Sequence, residues 1–276
     1  MTHTETTDLQ PAREGVIRCR ALVRHPSLVL SLFPGVGLFD MAFEEEGYCV
    51  VRGPDILWGG DVHSFHPPAD TFAGMIGGPP CQAFSPARWL RAKVGSAINL
   101  VPEFERCVRE AQPLWWVMEN VPRAPLPDIA GYHVSSYLLD NRWCGGEQMR
   151  RRRFTFGCAN QSQLRIETVA LEPLMKYRAV LASDGKRAGN GCNLPDRKHT
   201  LGAQNIPLAL AVRLQGFPDG FLDDAPFTLE GKHRVVGNGV PLPLGRAVAK
   251  AVRIATEARM PNEKLTDAGP VTPDVP

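Results

Sequence analysis

The stretch MIGGPPCQAFSP, residues 75–86, holds a single thiol, Cys81, behind two glycines and two prolines. Pro79 and Pro80 fix the backbone ahead of the sulfur, and Gly77 and Gly78 leave room above it, so the pattern presents a thiol rather than packing one. A thiolate held this way attacks an electrophilic carbon if a nearby cation lowers its pKa. Read alone, a cysteine is more often a packed core residue. Zinc needs three or four converging ligands, and neither a C-x-x-C nor an H-x-x-x-H pair lies near it. Further on, WWVMENVP closes an apolar run with Glu119 and Asn120. A carboxyl at the tip of such a strand is partly desolvated, which raises its pKa and suits it to act as an acid; a helix cap is the plainer reading. QMRRRRF then places Gln148, Arg150 and Arg152 at alternate positions, with Arg151 and Arg153 on the opposite face. A solvated charge run has the same composition, but Phe154 and Phe156 continue the alternation toward a buried sheet, which puts the arginines at a strand mouth.

A second set of residues suits ligand binding. The loop FPGVG, Phe33 to Gly37, follows an apolar strand and leads directly into a helix, and its glycines permit a tight turn and a close approach. An ordinary strand-to-helix turn looks similar. The G-x-G-x-x-G spacing is absent, so a dinucleotide pyrophosphate is not the natural ligand. Asp55, near the end of the second strand, suits the hydroxyls of a ribose, and Asp61 supplies another carboxylate at the level of the third strand. Each aspartate taken separately reads as a turn or cap residue.

These residues need a frame that brings loop ends together. Strands are predicted in SLVLSLF, YCVVRG, FAGMIGG, PLWWVMEN and FTFGC, with helices in LFDMAFEEEG and EFERCVREAQ between them. Strands alternating with helices predict a doubly wound, mostly parallel α/β sheet, whose ligands sit at the carboxyl ends of the strands. The candidate residues fall at those ends. The predicted organisation is a polar lead-in over 1–26, a catalytic core over 27–158, an irregular insertion over 159–200, the rest of the core over 201–260, and a proline-rich, disordered tail over 261–276. Within 201–260, IPLALAVRLQ reads as a helix up to Gly216, and a long final helix is expected after the prolines of VPLP.

Composition narrows the class. A chain of 276 residues with a net charge of +2 fits one large domain and does not by itself point to nucleic acid; the clustering of four arginines at 150–153 says more. Seven cysteines without paired spacing argue against a disulfide framework and for a reducing compartment. The N-terminus lacks an apolar signal core, and no apolar run approaches membrane-spanning length, so a cytoplasmic protein without a membrane partner is expected.

The motifs GGPPCQ, MENVP, QMRRRRF, RLQGFPDGF and VVGNGVPLP, in this order behind LFPGVG, resemble the motif series of DNA cytosine-5 methyltransferases from about Leu28 to Ala255. The compact spacing is most similar to the small phage-type members. The resemblance implies the Rossmann-like fold of S-adenosylmethionine-dependent methyltransferases. It implies that Cys81 attacks carbon 6 of a flipped cytosine, that Glu119 bonds ring nitrogen 3 and the amino group, and that Arg152 holds the carbonyl oxygen, with Arg150 and Gln148 bracing the site. S-adenosylmethionine would lie over Phe33, Gly35, Val36 and Gly37, with Asp55 on the ribose and Asp61 and Val62 at the adenine. Pro80, Asn238 and Val240 would complete that pocket. Gln82, Ser85, Asn120, Val121, Gln148, Arg178 and Arg197 would face the target base or the DNA. The 159–200 insertion corresponds to the target-recognition region, made cationic by Arg165, Lys176, Arg178, Lys186, Arg187, Arg197 and Lys198. It is short for the family, so a target of about two to four base pairs is expected. The implied partner is double-stranded DNA, the implied protein a monomer without metal in a bacterial or phage-infected cell. Three departures stand out: the family usually has aspartate at Ser31 and a further glycine at Leu38, and the short interval between Asp55 and Asp61 omits a helix. A transfer-RNA substrate, a modified methyl donor and a catalytically silent DNA-binding protein are the alternatives.

Overall fold

The apolar run after Arg24 becomes β1 (His25–Leu32), and it is covered on both faces. Val29 joins one core with Leu38, Phe39 and Phe43, while Leu30 and Leu32 join a second with Met75, Phe104 and Trp116. A strand segment buried on both faces has to be almost continuously apolar, as Leu28–Leu32 is apart from Ser31. The computed structural model describes residues 24–80, 98–169, 177–184 and 206–257. Cys81, Gln82, Ser85 and Arg197 lie outside the described residues, as do the lead-in up to residue 23, most of the 159–200 insertion and the tail from 258.

Three more strands run parallel to β1: β2 (Cys49–Arg52), β3 (Phe72–Gly77) and β4 (Trp115–Asn120). Beyond β4 the sheet turns antiparallel through β7 (Arg151–Cys158) to the edge strand β5 (His133–Asp140), giving the order β2-β1-β3-β4-β7-β5. A separate two-stranded ladder pairs β6 (Gln148–Met149) with β8 (Tyr177–Arg178). The helices are α1 (Leu38–Glu45), α2 (Val101–Ala111), α3 (Leu208–Gln215), α4 (Leu229–Asn238) and α5 (Leu242–Glu257). Residues of α1 and α5 fill the core on one face of the sheet, and Phe104, Cys107 and Val108 of α2 fill the core on the other. The chain passes from β1 outward to β2 on one side and returns to β3 on the other, which makes the carboxyl ends of β1 and β3 the topological switch point, the usual ligand crevice of such a sheet.

Four local expectations change. First, β1 begins at His25, inside the expected lead-in. Second, the arginine run is not one continuous strand, because Arg150 breaks it between β6 and β7. Since β7 is antiparallel, its start lies beside the end of β4, with Arg153 opposite Asn120, so the arginines still reach the rim formed by the parallel strands' carboxyl ends. Third, the final helix starts at Leu242, between Pro241 and Pro243, because a first-turn proline loses no intrahelical bond. Fourth, β5 and α4 were not anticipated. Among the described residues no helix is long and apolar enough to cross a membrane.

Candidate active site

Two loops leave neighbouring strands side by side, since Leu32 of β1 pairs with Gly77 of β3. The first is Phe33–Gly37. Phe33, Gly35 and Gly37 take left-handed backbone angles, with φ of +56°, +58° and +87°. A Cβ placed on Gly35 would meet nothing within 4 Å, so the loop's outer surface is open to a ligand. Asp55 maintains this shape. Its Oδ2 accepts from the Gly35 amide at 2.8 Å and its Oδ1 from the Leu57 amide at 2.8 Å. The carboxylate expected to wait for a ribose is thus already engaged at both oxygens as a loop brace, with only its remaining lone pairs free for hydroxyls. Asp61 stays exposed and caps a short turn, accepting from the amide and ring of His63 at 3.0 and 2.8 Å. The His63 amide bond, then the ring bond, hold its carboxyl below the ordinary aspartate range. Val62 and Val36 are buried, and the Val62 carbonyl accepts from Arg106 Nη2 at 2.7 Å and from the Phe65 amide at 3.2 Å.

Sequence reasoning missed Trp58. Its indole N–H donates to the Gly35 carbonyl at 2.7 Å, its ring is more than half exposed, and it lies 5.8 Å from the Phe227 ring. The available signal was a tryptophan beside Ile56 and Leu57 in the glycine-rich turn PDILWGGD. The leucine at 38 turns inward: it is 1% exposed, and a Cβ on Gly239 would stand only 3.0 Å from its Cδ1. Leu38 therefore leaves the loop's open side clear. Asn238, exposed at the end of α4, and the buried Val240 follow in the same turn. The open space over Gly35, the exposed Asp61 carboxylate and the exposed indole leave room for a ligand that carries a flat ring and hydrogen-bond donors.

The second loop is Gly78–Pro80, leading to Cys81. Its glycines allow close packing of the neighbouring chain: a Cβ on Gly77 would lie 2.9 Å from the Leu32 carbonyl, and one on Gly78 would lie 3.3 Å from Glu119 Oε2. Asn120 Nδ2 donates to the Pro79 carbonyl at 3.1 Å, and the Leu100 amide donates to the Pro80 carbonyl at 3.1 Å. β4 and the start of α2 thus pin the two residues before the cysteine. Asn120, expected to face the DNA, is 4% exposed and its Oδ1 accepts from the Val121 amide at 2.8 Å, so it is a brace for this loop.

Glu119, the penultimate residue of β4, lies over Gly78. It is buried, and its Oε1 meets Arg152 Nε at 2.8 Å. Burial pushes its pKa up, against the opposing pull of Arg152 and Arg150. Arg150 is buried and donates to the carbonyls of Val180, Gly237 and Gly239 at 2.9, 3.0 and 2.9 Å. Burial, followed by the neighbouring Arg152 charge, drives its pKa down. Gln148, also expected at the DNA, is fully buried. Its amide donates to the Leu214 carbonyl and to Gln215 Oε1 at 2.7 and 3.0 Å, and its Oε1 accepts from the Val180 amide at 3.1 Å, which leaves nothing for a base. Arg178 likewise makes a two-pronged pair with Asp184 at 2.7 and 3.0 Å, so its guanidinium is committed within the insertion. The described site thus holds a desolvated carboxyl, a cation that touches it and a second cation behind, at the foot of a pinned proline loop. Such a set can bond a planar polar ring and draw electrons from it.

The sequence has recognisable relatives. Residues 60–188 match the C-5 cytosine-specific DNA methylase family. The chain is 30% identical to Type II methyltransferase M.HgiDI of Herpetosiphon aurantiacus over 53% of its own length and 57% of that protein's. It is 28% identical to Type II methyltransferase M.HindV of Haemophilus influenzae, over 64% of this chain and 74% of that one. The match to M.HgiDI therefore spans little more than half of that relative. In three dimensions the fold is similar to Entamoeba histolytica methyltransferase EhMeth, with a TM-score of 0.58 at 12% identity over 83% of this chain and 98% of that one. It is also similar to S. pombe Dnmt2 methyltransferase, with a TM-score of 0.55 at 14% identity over 84% and 99%. In its ordered motifs and in these matches, the chain is similar to the C-5 cytosine-specific DNA methylase family.

Proposed function

We propose that the protein methylates carbon 5 of cytosine in a short duplex DNA target, with Cys81 as the nucleophile. The observation that carries this reading is the buried Glu119, held against Gly78 by β4 and paired with Arg152, one loop away from the Pro80–Cys81 bond. Carbon 5 of a neutral cytosine is a poor nucleophile. Attack by the Cys81 thiolate on carbon 6 forms a carbon–sulfur bond and moves the displaced electron pair toward carbon 5. Glu119, kept protonated by burial into a higher pH range than an ordinary glutamate, donates to ring nitrogen 3 as this happens. Arg152 stands beside it to hold the carbonyl oxygen, and Arg150 keeps the wall behind both in place. When bound over the glycine loop, S-adenosylmethionine supplies an electrophilic methyl group. Loss of the carbon 5 proton then returns the electron pair and expels the thiolate. The base must leave the stack to reach Cys81, which costs a few kcal/mol, recovered through protein contacts.

The test is nucleoside mass spectrometry of unmodified duplex DNA incubated with S-adenosylmethionine and wild type, Cys81→Ala or Glu119→Gln. We expect 5-methylcytosine from wild type, none from Cys81→Ala, and a fall of about a hundredfold or more from Glu119→Gln. A wild type that binds the cofactor yet leaves DNA unmodified refutes the assignment. Product on transfer RNA alone would move the substrate to RNA.

A further inference from the structure

Asp40 stands apart from every group used above. It lies in the first turn of α1, has no exposed surface, and faces the core shared by α1 and the sheet. Ser31 Oγ donates to its Oδ1 at 2.5 Å and Arg52 Nε donates to its Oδ2 at 2.9 Å. Both donors belong to strand ends: Ser31 is the penultimate residue of β1, Arg52 is the last of β2, and the two are partners in the ladder. The Ser31–Asp40 bond closes the segment that contains the whole glycine loop, tying its entry to its exit. Arg52 makes a second closure. Its guanidinium lies across Gly37, where a Cβ would sit 2.4 Å from Nη2, so the residue before α1 is held from above by the same ion pair.

We propose that Asp40 is a positioning residue of the cofactor site, setting the shape of the Phe33–Gly37 loop through Ser31 and Arg52; this rests on the cofactor reading above. A buried carboxylate is a poor device for stability alone, because well-packed apolar residues of the same volume do as well or better. What it supplies is direction. Two charge-assisted bonds fix the ends of two strands against one helix turn more narrowly than apolar contact does. Where the family this chain resembles usually has an aspartate, β1 carries Ser31, and the carboxylate it bonds stands opposite it on α1.

The test compares wild type with Asp40→Asn, Arg52→Met and the exchange Ser31→Asp/Asp40→Ser, which moves the carboxylate across that bond. Calorimetry with S-adenosylhomocysteine gives cofactor affinity, and anisotropy with a duplex oligonucleotide gives DNA affinity. Steady-state kinetics separate KM for S-adenosylmethionine from kcat. Asp40→Asn and Arg52→Met should weaken S-adenosylhomocysteine about tenfold and raise KM similarly, with kcat within about twofold and DNA affinity unchanged. The exchange should restore most of the loss. Asp40→Asn that melts earlier but binds S-adenosylhomocysteine as wild type does would overturn the inference, leaving Asp40 a packing residue. Should Asp40→Asn fail to fold, Arg52→Met decides, since its side chain is half exposed and its loss removes one bond only. A wild type that binds no S-adenosylhomocysteine would instead strike down the cofactor reading itself, an outcome distinct from equal binding by wild type and variant.

Discussion

A carboxyl buried beside two guanidiniums is poised between opposing effects, and at Glu119 burial wins over the two charges. The consequence can be measured without catalysis. In the unfolded chain Glu119 loses its proton near pH 4.3, while in the folded chain it keeps it to a higher pH. Between those points the folded state binds more protons than the unfolded one, so stability falls as pH rises, by up to about 1.4 kcal/mol per pH unit. Above the raised value the difference is constant. Wild type should therefore lose stability relative to Glu119→Gln as pH climbs from the ordinary carboxylate range through the folded pKa, as read by urea denaturation at a series of pH values. Parallel curves would mean that Arg152 and Arg150 cancel the desolvation. A difference growing in favour of wild type would mean that they exceed it.

At the scale of elements, the site depends on how segments distant in sequence close on one another. Gly237 in α4 illustrates this: a Cβ there would lie 2.2 Å from the Ala182 amide nitrogen and 2.3 Å from the Leu181 carbonyl carbon, both backbone atoms that cannot step aside. The Gly237 carbonyl also receives Arg150. Gly237→Ala should cost about 2–3 kcal/mol and speed hydrogen exchange over residues 177–184. Gly131→Ala, at φ +87° but with open space around it, should cost only about 1 kcal/mol and leave that segment protected. A loss at Gly237 no larger than at Gly131 would mean that the 181–182 backbone gives way at little cost and the α4 contact is not tight. The same distances explain what the sequence could and could not reveal. β1, β3, β4 and α2 announce themselves by runs of apolar residues with clear periods. β5 does not, because HVSSYLLD is a half-exposed edge strand whose pattern is set by its pairing with β7. α4 does not either, since LEGKHRVVGN carries two glycines and depends on the Thr228 cap and on packing. Glu119 and Arg152 were legible as polar groups at strand ends. Gln148 and Arg150 were expected as braces through the resemblance, but neither their partners, 66 and 89 residues away, nor the bracing role of Asn120, whose partner stands 41 residues away, could be read from the sequence.

For the molecule as a whole, charge bears on how the proposed duplex substrate would be held. A net charge of +2 over 276 residues gives little long-range attraction, so phosphate binding would have to come from local cations around the rim. Several candidates are already committed: Arg150 and Arg152 within the site, Arg178 to Asp184, and Arg153 to the Ala124 carbonyl at 3.2 Å. Arg123 differs. It is exposed on the turn just after Glu119, Asn120 and Val121, and among the described residues no hydrogen bond or ion pair holds its side chain. If that rim faces the duplex, Arg123 neutralises one phosphate. Arg123→Ala should then weaken duplex binding about equally for target and non-target sequences, and reduce the slope of log affinity against log salt by about 0.9. Anisotropy titrations across a salt series read both quantities. An unchanged slope would place the duplex away from this turn. A loss confined to the target sequence would make Arg123 a reader of bases, and the rim a source of specificity as well as attraction.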